Sequence, residues 1–94
     1  MSTMHNPAHP GEVLREWIPA QVSVTQAAQA LGINRVTLSK LLGGRGNVTA
    51  GMALRLADWL GTSPEMWLGM QAQFDLWQAA QQPRPDITPL AMAA

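Results

Sequence analysis

Cysteine is absent from this 94-residue chain, so disulfides and cysteine-based zinc sites are excluded. Tyrosine is also absent, phenylalanine occurs once, and only 13% of the residues are charged. Four tryptophans and six methionines therefore supply much of the bulky apolar mass. With a hydrophobic fraction of 47%, the composition is that of a folded domain and not of a disordered chain.

Long hydrophobic runs are also missing. The longest apolar stretch is far short of a bilayer span, and the start, MSTMHNPAHPGE, has no basic segment followed by an apolar core. We therefore expect neither a signal peptide nor a membrane helix, and a cytoplasmic location. A chain of this length makes one domain with a thin stability margin, which makes an oligomer interface a reasonable addition.

Acidic residues are missing from one long interval. Six basic and six acidic residues give a net charge of zero, yet no acid lies between Trp17 and Ala57. The same interval holds four basic residues: Arg35, Lys40, Arg45 and Arg55. A neutral chain can thus present a local positive face to nucleic acid, although chance clustering of a few charges gives the same pattern.

Helix signals recur along the chain, and no strand pattern does. Ser23 and Gln26 form an S-x-x-Q capping box, and Gly32 suits the left-handed residue that stops a helix. A proline in the first turn marks two further helix starts, at Pro10 and Pro64. The remaining N-cap candidates are Asn34, Thr49 and Ser63. These signals predict five short helices: a flexible lead-in over 1–8, a helical domain over 9–81 and a Pro-containing tail over 82–94.

Apolar spacing predicts which face of each helix is buried. In the third helix the inward stripe is Leu38, Leu41 and Leu42. In the fourth helix the expected core face is Leu54, Ala57 and Leu60, with Ala53 and Leu56 adjoining. We expect Trp67 in the core and both histidines, His5 and His9, in solvent.

The second and third helices are joined by a short turn that contains Gly32 and Ile33, as in a helix-turn-helix. In that motif the second helix lies in the DNA major groove with its N-terminal residues at the base edges. Arg35 can hold guanine through two hydrogen bonds, and a methyl group of Val36 or Thr37 can touch a thymine methyl. Lys40 lies one turn deeper. The alternative is an ordinary solvated polar face.

Two segments make the pattern more specific. The stretch HPGEVLREW at 9–17, and the stretch at 23–77 with its segment GTSPEMWLGMQ, resemble HigA-type antitoxins, a group also called virulence-associated protein I. These belong to the Cro/repressor-like (XRE) helix-turn-helix superfamily. The resemblance covers about residues 6–80 and implies a five-helix all-α domain, like that of lambda repressor.

The resemblance also implies function. Family members dimerise through the C-terminal helix region, where Phe74 and Trp77 lie. They bind the palindromic operator of their own operon and repress it, and they neutralise a HigB/RelE-like mRNA-cleaving toxin. Neither a metal nor a cofactor is implied. By position, the expected DNA-binding residues are Asn34, Arg35, Val36, Thr37, Ser39, Lys40 and Arg45.

Other readings stay open. Val36 is apolar where many relatives carry a hydrogen-bonding residue, which leaves the operator sequence undetermined. One rival is a protein-interaction module that no longer reads DNA, and another is a stand-alone repressor without a toxin partner. An enzyme is the weakest option, because His9 and Glu12 do not form an HExxH arrangement and no nucleophile lies beside a base.

Overall fold

Five helices and no strand make up the part of the chain that the structure, a computed structural model, describes, which is residues 6–91. They are α1 (Pro10–Trp17), α2 (Val24–Leu31), α3 (Arg35–Leu42), α4 (Ala50–Leu60) and α5 (Pro64–Ala80). The all-α fold expected from the capping signals is confirmed.

Local side-chain bonds set most helix boundaries. At α2, Ser23 Oγ accepts from the Gln26 N–H at 3.1 Å, and Gln26 Oε1 accepts from the Ser23 N–H at 2.9 Å. These reciprocal bonds satisfy donors that have no partner inside the helix. At the other ends of α2 and α4, Gly32 and Gly61 adopt φ of +68° and +72°, which only glycine accommodates without strain.

His9 begins α1, and the expectation that it would be solvent-exposed is wrong. It is 5% exposed and caps the helix, with Nδ1 accepting from the Gly11 N–H at 2.9 Å. Nε2 lies 2.9 Å from the Gly46 carbonyl oxygen, so Nε2 carries the proton of a neutral ring. Glu12 completes the capping box by accepting from the His9 N–H. His5 lies outside the described residues.

Gly11 lets α1 press directly onto the end of α3. A Cβ at Gly11 would lie 2.8 Å from the carbonyl carbon of Leu41, and closer still to its oxygen. The same carbonyl already accepts from the Gly44 N–H at 3.0 Å, so it is held in place. Each residue of the sequence HPGE therefore has a role at the start of α1. His9 caps the helix, Pro10 occupies the first turn, Gly11 allows close approach to α3, and Glu12 completes the capping box.

The core lies between all five helices, with its largest members Trp67, Leu14, Leu38, Leu41 and Leu56. Trp67 is fully buried as expected, and its Nε1–H donates to Thr62 Oγ1 at 2.7 Å.

The prediction of the buried face of α4 is wrong by about one residue. Leu54 is 58% exposed, and the buried residues of α4 are Met52, Ala53 and Leu56. Ala57 and Leu60 are half-buried, as is Leu42 at the end of α3.

Beyond α5, residues 83–91 form no helix and are exposed. Within residues 6–91, none of the helices combines the length and hydrophobicity that a bilayer crossing requires.

Candidate nucleic-acid interface

The turn between α2 and α3 has the geometry of a helix-turn-helix. The Gly32 N–H donates to the Gln29 carbonyl at 3.1 Å, and the Ile33 N–H donates to the Ala28 carbonyl at 3.0 Å. Ile33 is half-buried and packs against the core, so it fills the corner between the helices. Asn34 then caps α3, because its Oδ1 accepts from the Val36 N–H at 2.7 Å.

The outer face of α3 is free for a ligand. Leu38 and Leu41 hold the helix to the core at 0% and 2% exposure. All seven residues that the sequence assigned to DNA are exposed: Asn34, Arg35, Val36, Thr37, Ser39, Lys40 and Arg45. They lie on one helix, its cap and the loop that follows it, so the fold presents them together. In the part of the chain that the structure describes, the three charged members of the set, Arg35, Lys40 and Arg45, form no ion pair.

The loop after α3 is fixed at several points, which positions Arg45. The Arg45 N–H donates to the Lys40 carbonyl at 2.9 Å, and the Gly46 carbonyl is bonded to His9. The Val48 N–H donates to Oε1 of Gln71 at 2.7 Å.

The buried side chain of Gln71 connects this loop to α5 by hydrogen bonds. The sequence did not predict this role. Gln71 is 6% exposed, and its Nε2–H₂ donates to Asn47 Oδ1 at 3.2 Å and to Asp75 Oδ1 at 2.9 Å. Helix α5 holds three glutamines, Gln71, Gln73 and Gln78, and the local sequence does not mark Gln71 as the buried one. Because every polar atom of this amide has a partner, Gln71 fixes the loop relative to α5.

Arg55 is the basic residue of the acid-free interval that does not serve the outer face of α3. Its Nη1 donates to the Leu31 carbonyl at 2.7 Å and to the Gly32 carbonyl at 3.2 Å. These bonds are charge-assisted, and the positive guanidinium also interacts favourably with the negative end of the α2 dipole. Arg55 therefore stabilises the turn of the motif, and the other three cations of the interval, Arg35, Lys40 and Arg45, are exposed.

The two aromatic residues assigned to a subunit contact are half-buried in the single chain. Phe74 packs edge-on against His9 with 4.8 Å between ring centroids, and its ring lies 6.4 Å from that of Trp77. Their role in dimerisation stays a prediction. On the outer side of α5, Leu68 and Leu76 are 37% and 60% exposed.

A two-helix motif with a capped, exposed second helix defines a helix-turn-helix protein of the Cro/repressor-like class. A family model described as a helix-turn-helix domain matches residues 12–67. Antitoxin HigA-1 of Vibrio cholerae serotype O1 is 40% identical over 77 residues, which cover 80% of this chain and 72% of that protein. The chain belongs to the HigA-type antitoxin family, as its resemblance predicted.

Solved structures agree with this assignment. Antitoxin GraA is 46% identical, with a TM-score of 0.77 over 82% of this chain and 85% of that one. Antitoxin GraA in complex with its operator is 44% identical, with a TM-score of 0.77 over 87% and 85% of the two chains. Pseudomonas aeruginosa antitoxin HigA with the higBA promoter is 30% identical, with a TM-score of 0.79 over 90% and 99%. At these identities the likeness extends beyond the fold to the family.

Proposed function

We propose that this chain is the antitoxin of a type II toxin–antitoxin pair. As a homodimer it binds the palindromic operator of its own operon and represses transcription, and it neutralises a HigB/RelE-like mRNA-cleaving toxin. The observation that carries the DNA-binding part is the exposed, capped first turn of α3, with Arg35 and Lys40 on a helix held by Leu38 and Leu41. Relatives described in complex with an operator or a promoter support the same conclusion.

The residues divide between base reading and backbone binding. Arg35 at the first position of α3 has the fork that recognises guanine in the major groove, and Val36 offers methyl groups to thymine. Val36 is 57% exposed, so its methyl groups are accessible to a thymine methyl. Lys40 and Arg45 bind the flanking phosphates, together with the hydroxyl of Ser39.

Dimerisation supplies the additional phosphate contacts that one chain lacks. Three cations make few phosphate contacts, so a single domain binds weakly and two half-sites are needed. The outer face of α5 carries the exposed side chains of Leu68 and Leu76, with only Gly69 and Ala72 between them along that face. A second copy that packs against this face of α5, beside Phe74 and Trp77, would bury the two leucines symmetrically in both chains.

Footprinting tests the operator and the dimer together. We expect nuclease protection of two half-sites about 10 to 10.5 base pairs apart, one helical turn, in the promoter of the chain's own operon. Leu76→Asp places a charge in the proposed interface at an exposed position, so the variant should fold, sediment as a monomer and lose that protection. Ile87→Asp makes the same change in the tail, at 75% exposure, and serves as the matched control. Protection of a single half-site by a monomeric wild-type chain would rule out the dimer.

Neutralisation is tested with the protein encoded beside this chain. If that protein is a basic RelE-like ribonuclease, purified wild-type chain should suppress its cleavage of mRNA in proportion to the amount added, because the proposed antitoxin acts by binding its toxin directly. Bovine serum albumin at the same concentration should have no effect. Operator binding with undiminished cleavage would identify a stand-alone repressor.

A further inference from the structure

We propose that Arg15 of α1, together with Arg45 and Ser39, forms a phosphate-binding cleft that holds the DNA backbone beside α3. This inference rests on the proposed DNA-binding function and adds a contact from a helix outside the helix-turn-helix. Arg15 lies outside the acid-free interval, so charge patterning gave no signal for it.

The cleft joins three parts of the fold at one edge of α3. It has a volume of about 330 Å³ and is lined by Arg15, Val24, Ser39, Leu42, Gly43 and Arg45. Two of these residues are arginines, one is a hydroxyl donor, and none is a carboxylate. The guanidinium of Arg45 lies beside Gly43, since a Cβ added there would be 3.5 Å from its Nε. The absence of a side chain at Gly43 keeps the floor of the cleft open.

The position of Arg15 follows from the packing of α1 on α3. Arg15 is four residues after Gly11, and residues at that spacing share one helix face. Gly11 is pressed against the Leu41 carbonyl, so the same face carries Arg15 along the last turn of α3. Leu14, its neighbour, is fully buried and fixes the rotation of α1.

Arg15 also lines an adjoining cleft with Ile18, Val22 and Val24. A long arginine side chain can lay its methylene groups along apolar surface and keep its guanidinium in water. Glu12 is on the same helix, but its carboxylate accepts from the His9 N–H and does not line the cleft.

This chemistry fits a phosphodiester of DNA. Planar guanidinium groups match the paired oxygens of a phosphate, and two of them with a hydroxyl can bind one group from several sides. Ser39 and Arg45 are contiguous with the face of α3 that is proposed to enter the major groove, and the strands that border the groove carry phosphates at its edge. The cleft is therefore placed to contact backbone and not base edges.

The test compares Arg15→Ala with wild type by fluorescence anisotropy on two labelled duplexes, the chain's own promoter and a scrambled version. Binding is measured from about 50 to about 200 mM salt, where each lost phosphate contact lowers the slope of log K against log salt by about 0.9 per chain. For a dimer that is about 1.8, or about a twelvefold smaller loss of affinity across this range. The slope should fall on both duplexes, and the preference for the promoter should be unchanged.

Two further variants separate the contact from general charge and from folding. Arg15→Lys keeps a cation and should keep the wild-type slope. Arg84→Ala removes the same charge from the exposed tail and should also leave the slope unchanged. Arg15 is exposed, so Arg15→Ala should still fold, with a melting temperature close to that of wild type. Inorganic phosphate, added to about the ionic strength of the chloride series, should weaken binding no more than chloride does if the cleft selects duplex backbone over free phosphate.

Three results would overturn the proposal: an unchanged slope for Arg15→Ala, a change equal to that of Arg84→Ala, or a defect confined to inhibition of the toxin. Failure of the proposed function gives a different result. If wild type does not distinguish the promoter from the scrambled duplex, operator recognition is wrong, but a lower slope for Arg15→Ala on both duplexes still supports the cleft. If wild type binds neither duplex, both proposals are wrong.

Discussion

Gly11→Ala is expected to lower the melting temperature more than any other single methyl addition in this chain. The new Cβ would lie 2.8 Å from the Leu41 carbonyl carbon and 3.1 Å from Nδ1 of His9. Neither neighbour can yield, because the Leu41 carbonyl is bonded to Gly44 and the His9 ring is bonded to Gly46. Overpacking of this kind costs about 3 kcal/mol. In a domain of this size that is about 12 to 24 °C, measured by thermal unfolding followed by circular dichroism.

Gly51→Ala is the matched control, with the opposite expected sign. An added Cβ at Gly51 meets only the Thr49 hydroxyl, at 4.0 Å, and the position is exposed near the start of α4. Alanine is better than glycine in a helix by about 1 kcal/mol, so this variant should melt higher. A Gly11→Ala variant that melts with wild type would show that α1 can move off α3 at no cost, and the account of the HPGE segment would then be wrong.

Arg35→Ala is expected to abolish preference for the operator. A bidentate arginine–guanine contact contributes about 2 kcal/mol per chain, so a dimer that loses two of them should bind its operator about a thousandfold more weakly. Binding to a scrambled duplex should weaken far less, because that interaction uses phosphates. Competition between the two duplexes measures the ratio directly.

Lys40→Ala is the contrasting variant on the same helix. It removes a proposed phosphate contact, so affinity for both duplexes should fall together, with a salt slope about 0.9 smaller per chain. If Arg35→Ala and Lys40→Ala together left operator affinity and its salt slope unchanged, the DNA-reading role of α3 would be wrong. The chain would then be a protein-interaction module.

The sequence predicted those features that depend on neighbouring residues. The capping box of Ser23 and Gln26, the cap at Asn34 and the left-handed Gly32 each act within a few positions, so the chain's own pattern determines them. The same holds for the exposed face of α3, because its three leucines stand at clear helical spacing. These local signals were sufficient to predict five helices and the location of the motif.

The features that the sequence did not predict depend on distant contacts. His9 is bonded to a carbonyl 37 positions away, and Arg55 to one 24 positions away, so neither partner could be inferred from neighbours. A local clue to His9 did exist, since histidine three residues before Glu12 can form a capping box around a first-turn proline.

The buried face of α4 was predicted wrongly for another reason. The segment AGMALRLADWL is apolar on most sides, so its spacing fits either Leu54 or Leu56 as the buried residue. Only packing against the other helices decides, and it selects Leu56.

Helix α3 divides its eight residues cleanly between two tasks. Leu38, Leu41 and the half-buried Leu42 attach it to the core. Within residues 6–91, no side-chain hydrogen bond involves the exposed side chains of the other five, Arg35, Val36, Thr37, Ser39 and Lys40. Exposed side chains of this kind can be exchanged with little change in stability, generally within about 0.5 kcal/mol. Under the proposed function, operator preference can therefore diverge between duplicated operons while the scaffold is inherited intact, so that a few substitutions in one helix separate paralogous copies from one another.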